Sequence, residues 1–365
     1  MALLDGVSLA ILLGAVLVMA GILSSLLALR FGAPLLLVFL AVGMLAGDSG
    51  PGQIQFSDVR TTYLVGSVAL ALILFDGGLR TRFQSIRAVL APSMLLATIG
   101  VLVTALVTAP IAKYVLDLNW AESLLVGAVV ASTDAAAVFL LVHTQGLRLR
   151  PRVGATLEAE SGTNDPFAIF LTLMLVEFIS IGQSSASHIA FEFTREVVFG
   201  TAVGVIGGRL VVVALNQVAL PQGLHAPFVT TAALVIFGAT QIVHGSGFLA
   251  VYLAGIIVGN RPTRAHNSVV TFLDAATWLA QIVMFVLLGL LVSPSRLLDS
   301  IVPAVIVALS LMLLARPIAV FLCLAPFRFN WREKVFIAWT GLRGAVAIFL
   351  ASIPMLIGLP KAYLY

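Results

Sequence analysis

Long apolar runs separated by short polar segments make up most of the chain. A helix that crosses the roughly 30 Å hydrocarbon core of a bilayer needs about 20 apolar residues. The pattern therefore predicts an all-α polytopic membrane protein with twelve spans. We place the spans at residues 7–29, 34–47, 61–79, 88–114, 121–142, 153–180, 194–215, 226–244, 246–259, 268–293, 301–325 and 333–357. The second and the ninth are short for a full crossing.

Composition favours a membrane protein over a soluble one. Hydrophobic residues make up 61% of the chain and charged residues 10%, whereas soluble domains carry about 25% charged residues. The segment Met1–Asp5 contains an acid and no basic residue, so the first apolar run predicts a retained span and not a cleaved signal. The single cysteine, Cys323, excludes an internal disulfide, and the five histidines lack the spacing of a structural metal site. We expect no cofactor and no nucleic-acid partner.

Lysine and arginine are distributed unequally between the loops. Loops after odd-numbered spans contain twelve of them, and loops after even-numbered spans together with the C-terminal tail contain five. Cytoplasmic loops carry the excess of positive charge, so we expect the N-terminus outside and the odd loops in the cytoplasm. Tyr365 would then also lie outside with no polar tail, and we expect a thirteenth span beyond this sequence.

Two short apolar segments share a glycine pattern. Gly43 and Gly47 in the second span align with Gly255 and Gly259 in the ninth. A separation of seven spans reverses the direction of the chain across the membrane, as in transporters built from inverted repeats. The same offset pairs the fifth span with the twelfth. The predicted units are a first repeat at about 7–180, a linking span at about 194–215 and a truncated second repeat at about 226–365.

Polar residues interrupt the fifth and twelfth spans near their middles. The fifth contains Ala131–Ala137 with Asp134, and the twelfth contains Trp339–Ala347 with Arg343. Two crossing discontinuous helices would bring like dipole ends together, and an acid and an arginine are suited to neutralise them. Thr133 adds a hydroxyl for a dehydrated cation. A buried hydrogen-bonded acid and a snorkelling arginine are the alternative interpretation.

A polar decapeptide, Leu157–Pro166, lies in the sixth span. On a helix, Ser161 and Asp165 share one stripe, while Glu160 and Asn164 form the adjacent stripe. An ionisable group at the depth of a bilayer is a functional candidate by default, and this makes Asp165 the first candidate. The alternative is a cytoplasmic loop whose acids lie in water.

Four motifs, taken together, resemble a known family. They are Phe75–Leu79, Ala131–Ala137, Glu160–Pro166 and Gly341–Ala345. With these motifs in this order, the chain resembles the NhaP-type monovalent cation/proton antiporters, most closely the bacterial potassium/proton antiporters of the cell volume regulation protein A type. The resemblance implies an inverted-repeat antiporter fold with two crossing discontinuous helices. It also implies a thirteenth span and cytoplasmic regulatory domains that are absent from this chain.

The resemblance further implies roles for individual residues. Asp165 would bind the monovalent cation and the proton in turn, and Asn164 stands where electrogenic relatives carry a second aspartate. Thr133, Asp134 and Ser161 would help to line the ion site.

A structural ion pair is implied as well, between Glu160 and Arg343. In one departure from the family pattern, Ala135 replaces the proline that many relatives have after the aspartate of span five, which predicts a less sharp break. Asp76 belongs to a family motif. It has two open interpretations, a place on the ion pathway or a plain interfacial ion pair with Arg80.

These observations predict a secondary antiporter and not an enzyme. It would exchange cytoplasmic potassium for external protons without net charge movement, by competition at Asp165, as a homodimer in the bacterial inner membrane. One carboxylate with hydroxyl and carbonyl oxygens suits sodium equally well, so a sodium/proton antiporter of the same fold is the alternative. A cation channel is a further alternative. An intramembrane enzyme lacks its motifs here, since the sequence contains neither His-Glu-x-x-His nor Gly-x-Ser-x-Gly.

Overall fold

A computed structural model describes residues 2–31, 34–135, 138–139, 142, 149–182, 186–292 and 294–359. The described residues form helices joined by short connections. The helices are α1 (Ala2–Phe31), α2 (Leu35–Ala46), α3 (Val59–Arg80), α4 (Phe83–Arg87), α5 (Leu90–Leu116), α6 (Trp120–Val129), α7 (Pro151–Ile181), α8 (Ala186–Gln217), α9 (His225–Ile242), α10 (Gly247–Gly259), α11 (His266–Leu291), α12 (Pro294–Ser310, Leu311–Ala315 and Arg316–Cys323 in succession), α13 (Trp331–Trp339) and α14 (Ala345–Ile357).

The prediction of an all-helical polytopic membrane protein is confirmed. Within the described residues, eight helices are long and apolar enough to cross a membrane, and α2, α6, α10 and α14 are shorter apolar helices. Each of the twelve predicted spans contains one or two of the observed helices. The short helices α2 and α10 correspond to the predicted second and ninth spans, while α6, α13 and α14 fall within the two predicted spans that have polar interruptions.

Helices α6 and α13 begin in the same way. Each follows an asparagine whose backbone N–H donates to a glutamate three residues later, at 2.9 Å for Asn119 and Glu122 and at 3.0 Å for Asn330 and Glu333. This arrangement satisfies backbone N–H groups that have no partner inside the helix. Both helices then end at a non-helical break, residues 132–134 after α6 and residues 341–344 after α13. The two spans therefore share their start as well as their interruption.

Helices α5 and α12 share a different irregularity. Each contains one π-helical turn, Leu96–Gly100 in α5 and Leu311–Ala315 in α12, and the two helices pack against each other at these turns. A π turn holds one more residue than an α turn, so the side chains beyond it are rotated by about 100° relative to a continuous α-helix. Arg316 is the first residue after the turn in α12.

Glycines bring α3 and α10 into backbone contact. A Cβ atom added to Gly78 would lie 2.3 Å from the carbonyl oxygen of Tyr252, and one added to Gly255 would lie 2.3 Å from the carbonyl oxygen of Phe75. Small residues at a helix interface allow this approach, and close packing is the main attraction between helices in lipid. The glycine pattern seen in the ninth span is therefore the packing surface of α10 on α3.

Alanine substitutions at two neighbouring glycines of α3 distinguish the effect of this packing contact from the effect of helix propensity. We expect Gly78→Ala to force α3 and α10 apart and to destabilise the protein by about 1–3 kcal/mol, as overpacking does. Gly77→Ala meets nothing within 4 Å and should be neutral or stabilising by up to about 1 kcal/mol. The measurement is the thermal unfolding midpoint of the detergent-solubilised protein. Equal midpoints for the two variants would contradict the close-packed interface.

Candidate functional site

The breaks of the two interrupted spans meet each other. The backbone N–H of Asp134 donates to the carbonyl oxygen of Leu342 at 2.8 Å. Arg343 also contacts the break after α6. Its Nη1 donates to the carbonyl oxygens of Ala131 at 2.8 Å and of Ser132 at 2.7 Å. These two carbonyls lie just beyond the C-terminal end of α6, where the helix dipole is negative. The guanidinium therefore neutralises a helix end inside the protein.

Gly344 allows the two breaks to come this close. A Cβ atom at this position would lie 2.5 Å from a carboxylate oxygen of Asp134. A side chain there would displace Asp134 from the crossing. Asp134 is therefore held between the α6 break and the start of α14.

Helix α7 is joined to the α6 break by two side chains. The Nδ2 group of Asn164 donates to Thr133 Oγ1 at 2.7 Å, and the backbone N–H of Ala135 donates to Ser161 Oγ at 3.2 Å. Asn164 is buried, and within the described residues its Oδ1 atom has no hydrogen-bond partner. The predicted candidates in the α6 break and on α7 are thus brought together.

Asp165 lies at the centre of this group. Its side chain faces the Ser132 hydroxyl and the Asp134 carboxylate, and the residue is 9% exposed. The hydroxyls of Ser132, Thr133 and Ser161 lie on the same two segments. Hard monovalent and divalent cations take oxygen ligands of these kinds. The set could hold a small cation at Asp165 or, equally, a proton on its carboxyl group.

Glu160 pairs with an arginine other than the predicted one. Arg316 Nη1 donates to Glu160 Oε1 at 2.5 Å and Nη2 donates to Oε2 at 3.0 Å, and both residues are at most 3% exposed. The predicted pair of Glu160 with Arg343 is therefore wrong. Two features bring Arg316 to Glu160: the π turn that precedes it, and Gly341, where an added Cβ would lie 2.8 Å from Arg316 Nε.

Sequence reasoning missed Arg316 and Ser132. Arg316 carried a signal, because it is an arginine followed by Pro317 inside an apolar run, in the same way that Arg343 interrupts another. Ser132 stands beside Thr133 and Asp134 in the α6 break, and only the side-chain geometry shows that it faces Asp165.

Asp76 lies in an ion-pair cluster. Arg80 Nε donates to Asp76 Oδ2 at 2.9 Å, and Arg80 Nη2 lies 2.7 Å from Asp274 Oδ1. Arg80 and Asp274 are 44% and 56% exposed in their side chains. Of the two interpretations of Asp76, the interfacial ion pair is the one that the described contacts show.

Known proteins share both the sequence and the fold of this chain. The K(+)/H(+) antiporter NhaP2 of Shewanella sp. (strain MR-4) is 47% identical over 364 residues, which is 99% of this chain and 63% of that protein. The K(+)/H(+) antiporter NhaP of Alkalimonas amylolytica is 44% identical over 362 residues, again 99% of this chain and 63% of that protein. The chain thus spans less than two thirds of the length of these curated relatives.

A solved structure of a related protein has the same fold as this chain. The sodium proton antiporter MjNhaP1 from Methanocaldococcus jannaschii at pH 8 superposes with a TM-score of 0.85 and 27% identity, covering 98% of this chain and 90% of that one. The family described as "Sodium/hydrogen exchanger, transmembrane" matches residues 14–365. The chain therefore belongs to the sodium/hydrogen exchanger family of membrane proteins.

Proposed function

We propose that this chain is the transport unit of an electroneutral antiporter that exchanges cytoplasmic potassium for external protons at Asp165. The observation that carries the proposal is a buried carboxylate among hydroxyl oxygens where two interrupted helices meet. The potassium assignment is supported by the K(+)/H(+) antiporters that are 47% and 44% identical to it.

The exchange follows from the charges of α7. Glu160 already has a resident cation in Arg316. Asp165 has no arginine or lysine partner within the described residues, and a charged carboxylate in a low-dielectric site is costly when it is unpaired. A proton or a transported cation can neutralise Asp165, but one carboxylate cannot hold both. Alternating exposure of the site to the two sides of the membrane then couples the two fluxes.

Each neighbouring side chain has a distinct proposed role. Asp134, Thr133 and Ser161 complete the oxygen set for the dehydrated cation, together with the hydroxyl of Ser132. Asn164 holds α7 to the α6 break through Thr133 and leaves the site with one fewer ionisable carboxylate than an aspartate would supply. The oxygen set is thus supplied by two segments, the break after α6 and helix α7.

The architecture that we propose has two inverted repeats of spans. The first covers about residues 7–180, the span at about 194–215 links them, and the second begins at about 226. Helix starts and π turns that recur seven spans apart support this division. A thirteenth span would complete the second repeat. We further propose a homodimer in the bacterial plasma membrane, with the arginine-rich loops in the cytoplasm.

Sodium is the second candidate for the transported cation. The solved structure with a TM-score of 0.85 is of a protein described as a sodium proton antiporter. The oxygen set around Asp165 suits either ion on chemical grounds.

Replacing the central carboxylate tests the exchange directly. In inverted vesicles with an acidic interior, we expect added potassium to release protons. A pH-sensitive dye measures this release. Asp165→Asn should abolish this release, because an amide cannot alternate between a proton and a cation. Asp48→Asn, a change at an exposed acid in a loop, should leave it intact. Potassium, sodium and lithium are compared in the same assay. Persistent proton release by Asp165→Asn would refute the assignment, and flux without proton release would favour a channel.

Electroneutrality makes a separate prediction. With one carboxylate exchanging one cation for one proton, turnover at a fixed pH gradient should be the same with and without an inside-negative membrane potential. Each elementary charge moved across 100 mV would otherwise contribute about 2.3 kcal/mol. Reconstituted vesicles with imposed potentials provide the measurement, and the Asp165→Asn protein sets the background. A steady turnover that changes with the potential would contradict the neutral role of Asn164.

The buried pair of Glu160 and Arg316 is proposed as structural. Arg316→Leu leaves an uncompensated buried carboxylate and should destabilise the protein by about 3–5 kcal/mol. Combining it with Glu160→Gln removes that charge and should restore most of the folded yield. Arg343→Ala leaves carbonyl groups without a donor but strands no anion, so its folded yield should fall less. Folded yield is measured by size-exclusion chromatography in detergent. A normal yield for Arg316→Leu alone would contradict a structural role.

A further inference from the structure

A large groove separates two groups of helices. It has a volume of about 1170 Å³ and is lined by α5 and α7 on one side and by α8 and α10 on the other. We call it the lateral groove. Along α8 it extends from Phe193 to Val213, which is about 30 Å at 1.5 Å per residue and matches the thickness of the hydrocarbon core.

The lateral groove is distinct from the candidate ion site. On α7 it is lined by Thr163, Pro166 and Phe170, which follow one another at helical spacing on one face. Asp165 and Ser161 lie on a different face, toward the α6 break, and do not line the groove. A ligand could therefore occupy the groove without touching the carboxylate proposed for exchange.

Most of the groove is apolar. Three phenylalanines form a cluster at one end, with ring centroids 5.7 Å apart for Phe167 and Phe193 and 4.7 Å apart for Phe170 and Phe193. Side chains at its edges are open to the surroundings, for example Met94 on α5 at 41% and Val213 on α8 at 46%. These edges belong to helices long enough to span a membrane, so the groove opens sideways toward lipid.

The opposite end of the groove carries arginines. Arg82, Arg209 and Arg261 all line it. Within the described residues, Arg209 and Arg261 make neither a hydrogen bond nor an ion pair through their side chains, and Arg82 interacts electrostatically with Glu158. This end therefore holds more positive than negative charge. It is the end that the distribution of basic residues assigns to the cytoplasm.

Asn260 holds this rim in place. Its Nδ2 group donates to the carbonyl oxygen of Thr81 at 2.7 Å, and its Oδ1 accepts from the backbone N–H of Phe83 at 2.9 Å. Thr81 and Phe83 flank Arg82, and Asn260 precedes Arg261. A single side chain therefore holds together the backbone segments that carry Arg82 and Arg261.

We propose that the lateral groove binds an anionic phospholipid of the cytoplasmic leaflet. The phosphate would lie among Arg82, Arg209 and Arg261, since guanidinium groups bind phosphate oxygens with two hydrogen bonds each. The acyl chains would lie along the apolar wall toward the phenylalanine cluster. A cationic end, an apolar wall and an opening toward the bilayer match the three parts of such a lipid.

Lipid retention tests the headgroup end. Delipidated protein is incubated with equal amounts of phosphatidylglycerol and phosphatidylethanolamine, and retained lipid is measured by native mass spectrometry. We expect a preference for phosphatidylglycerol that Arg209→Ala weakens about fivefold, the usual effect of one arginine at an anionic surface. Arg264→Ala, which changes an exposed arginine outside the groove, should retain the lipid as the wild type does. Equal retention of the two lipids by the wild type, or equal loss in both variants, overturns the proposal.

The apolar wall is tested by filling it. Val205→Trp places a large side chain in the groove and should lower phosphatidylglycerol retention, while Ile206→Trp, at the neighbouring position that is 57% exposed, should not. Unchanged retention in Val205→Trp also overturns the proposal, because the lipid would then lie on the outer surface. Arg261→Ala replaces Arg209→Ala if the latter does not elute as folded protein. None of these measurements depends on transport, so they test lipid binding independently of the role proposed for Asp165.

Discussion

A charge or an open backbone group inside a bilayer has no water to bind, and the centre of this molecule is arranged around that constraint. Two interrupted helices leave carbonyl groups without helical partners, and Arg343 binds two of them. Glu160 is a buried acid, and Arg316 binds both of its oxygens. Arg316 thus neutralises a buried carboxylate, and Arg343 satisfies backbone carbonyl groups at a helix end.

Asp165 is the exception to this pairing. It is buried on the same helix as Glu160, five residues further along, and within the described residues it has hydroxyl and carboxylate neighbours but no arginine or lysine partner. A mobile cation or a proton is the remaining way to neutralise it. Arg316 binds Glu160 and Arg343 binds the carbonyl groups after α6, so neither arginine is the partner of Asp165. The proposed exchange follows from this distribution.

Around this centre, the packing is supplied mostly by small residues. The glycines of α3 and α10 bring two backbones into contact, and Gly344 and Gly341 do the same for Asp134 and Arg316 at the crossing. The lateral groove lies between α5 and α7 on one side, of which α7 carries ion-site candidates, and α8 and α10 on the other. A lipid there would fill the space between these two groups of helices.

The apolar runs of the sequence were enough to predict an all-helical membrane protein, because the thickness of the hydrocarbon core sets how many apolar residues a crossing needs. The sequence also determined that Asp134 and Asp165 lie in polar interruptions of apolar spans, and helical spacing placed Ser161 beside Asp165 and Glu160 beside Asn164. The partner of Glu160, in contrast, depends on how the helices pack against one another. Spacing along α7 shows which face Glu160 occupies but not which neighbouring helix lies there, and two arginines in apolar surroundings were available. The π turn of α12 and the absence of a side chain at Gly341 selected Arg316. The lateral groove, likewise, joins residues from five helices, and only their packing brings those residues together.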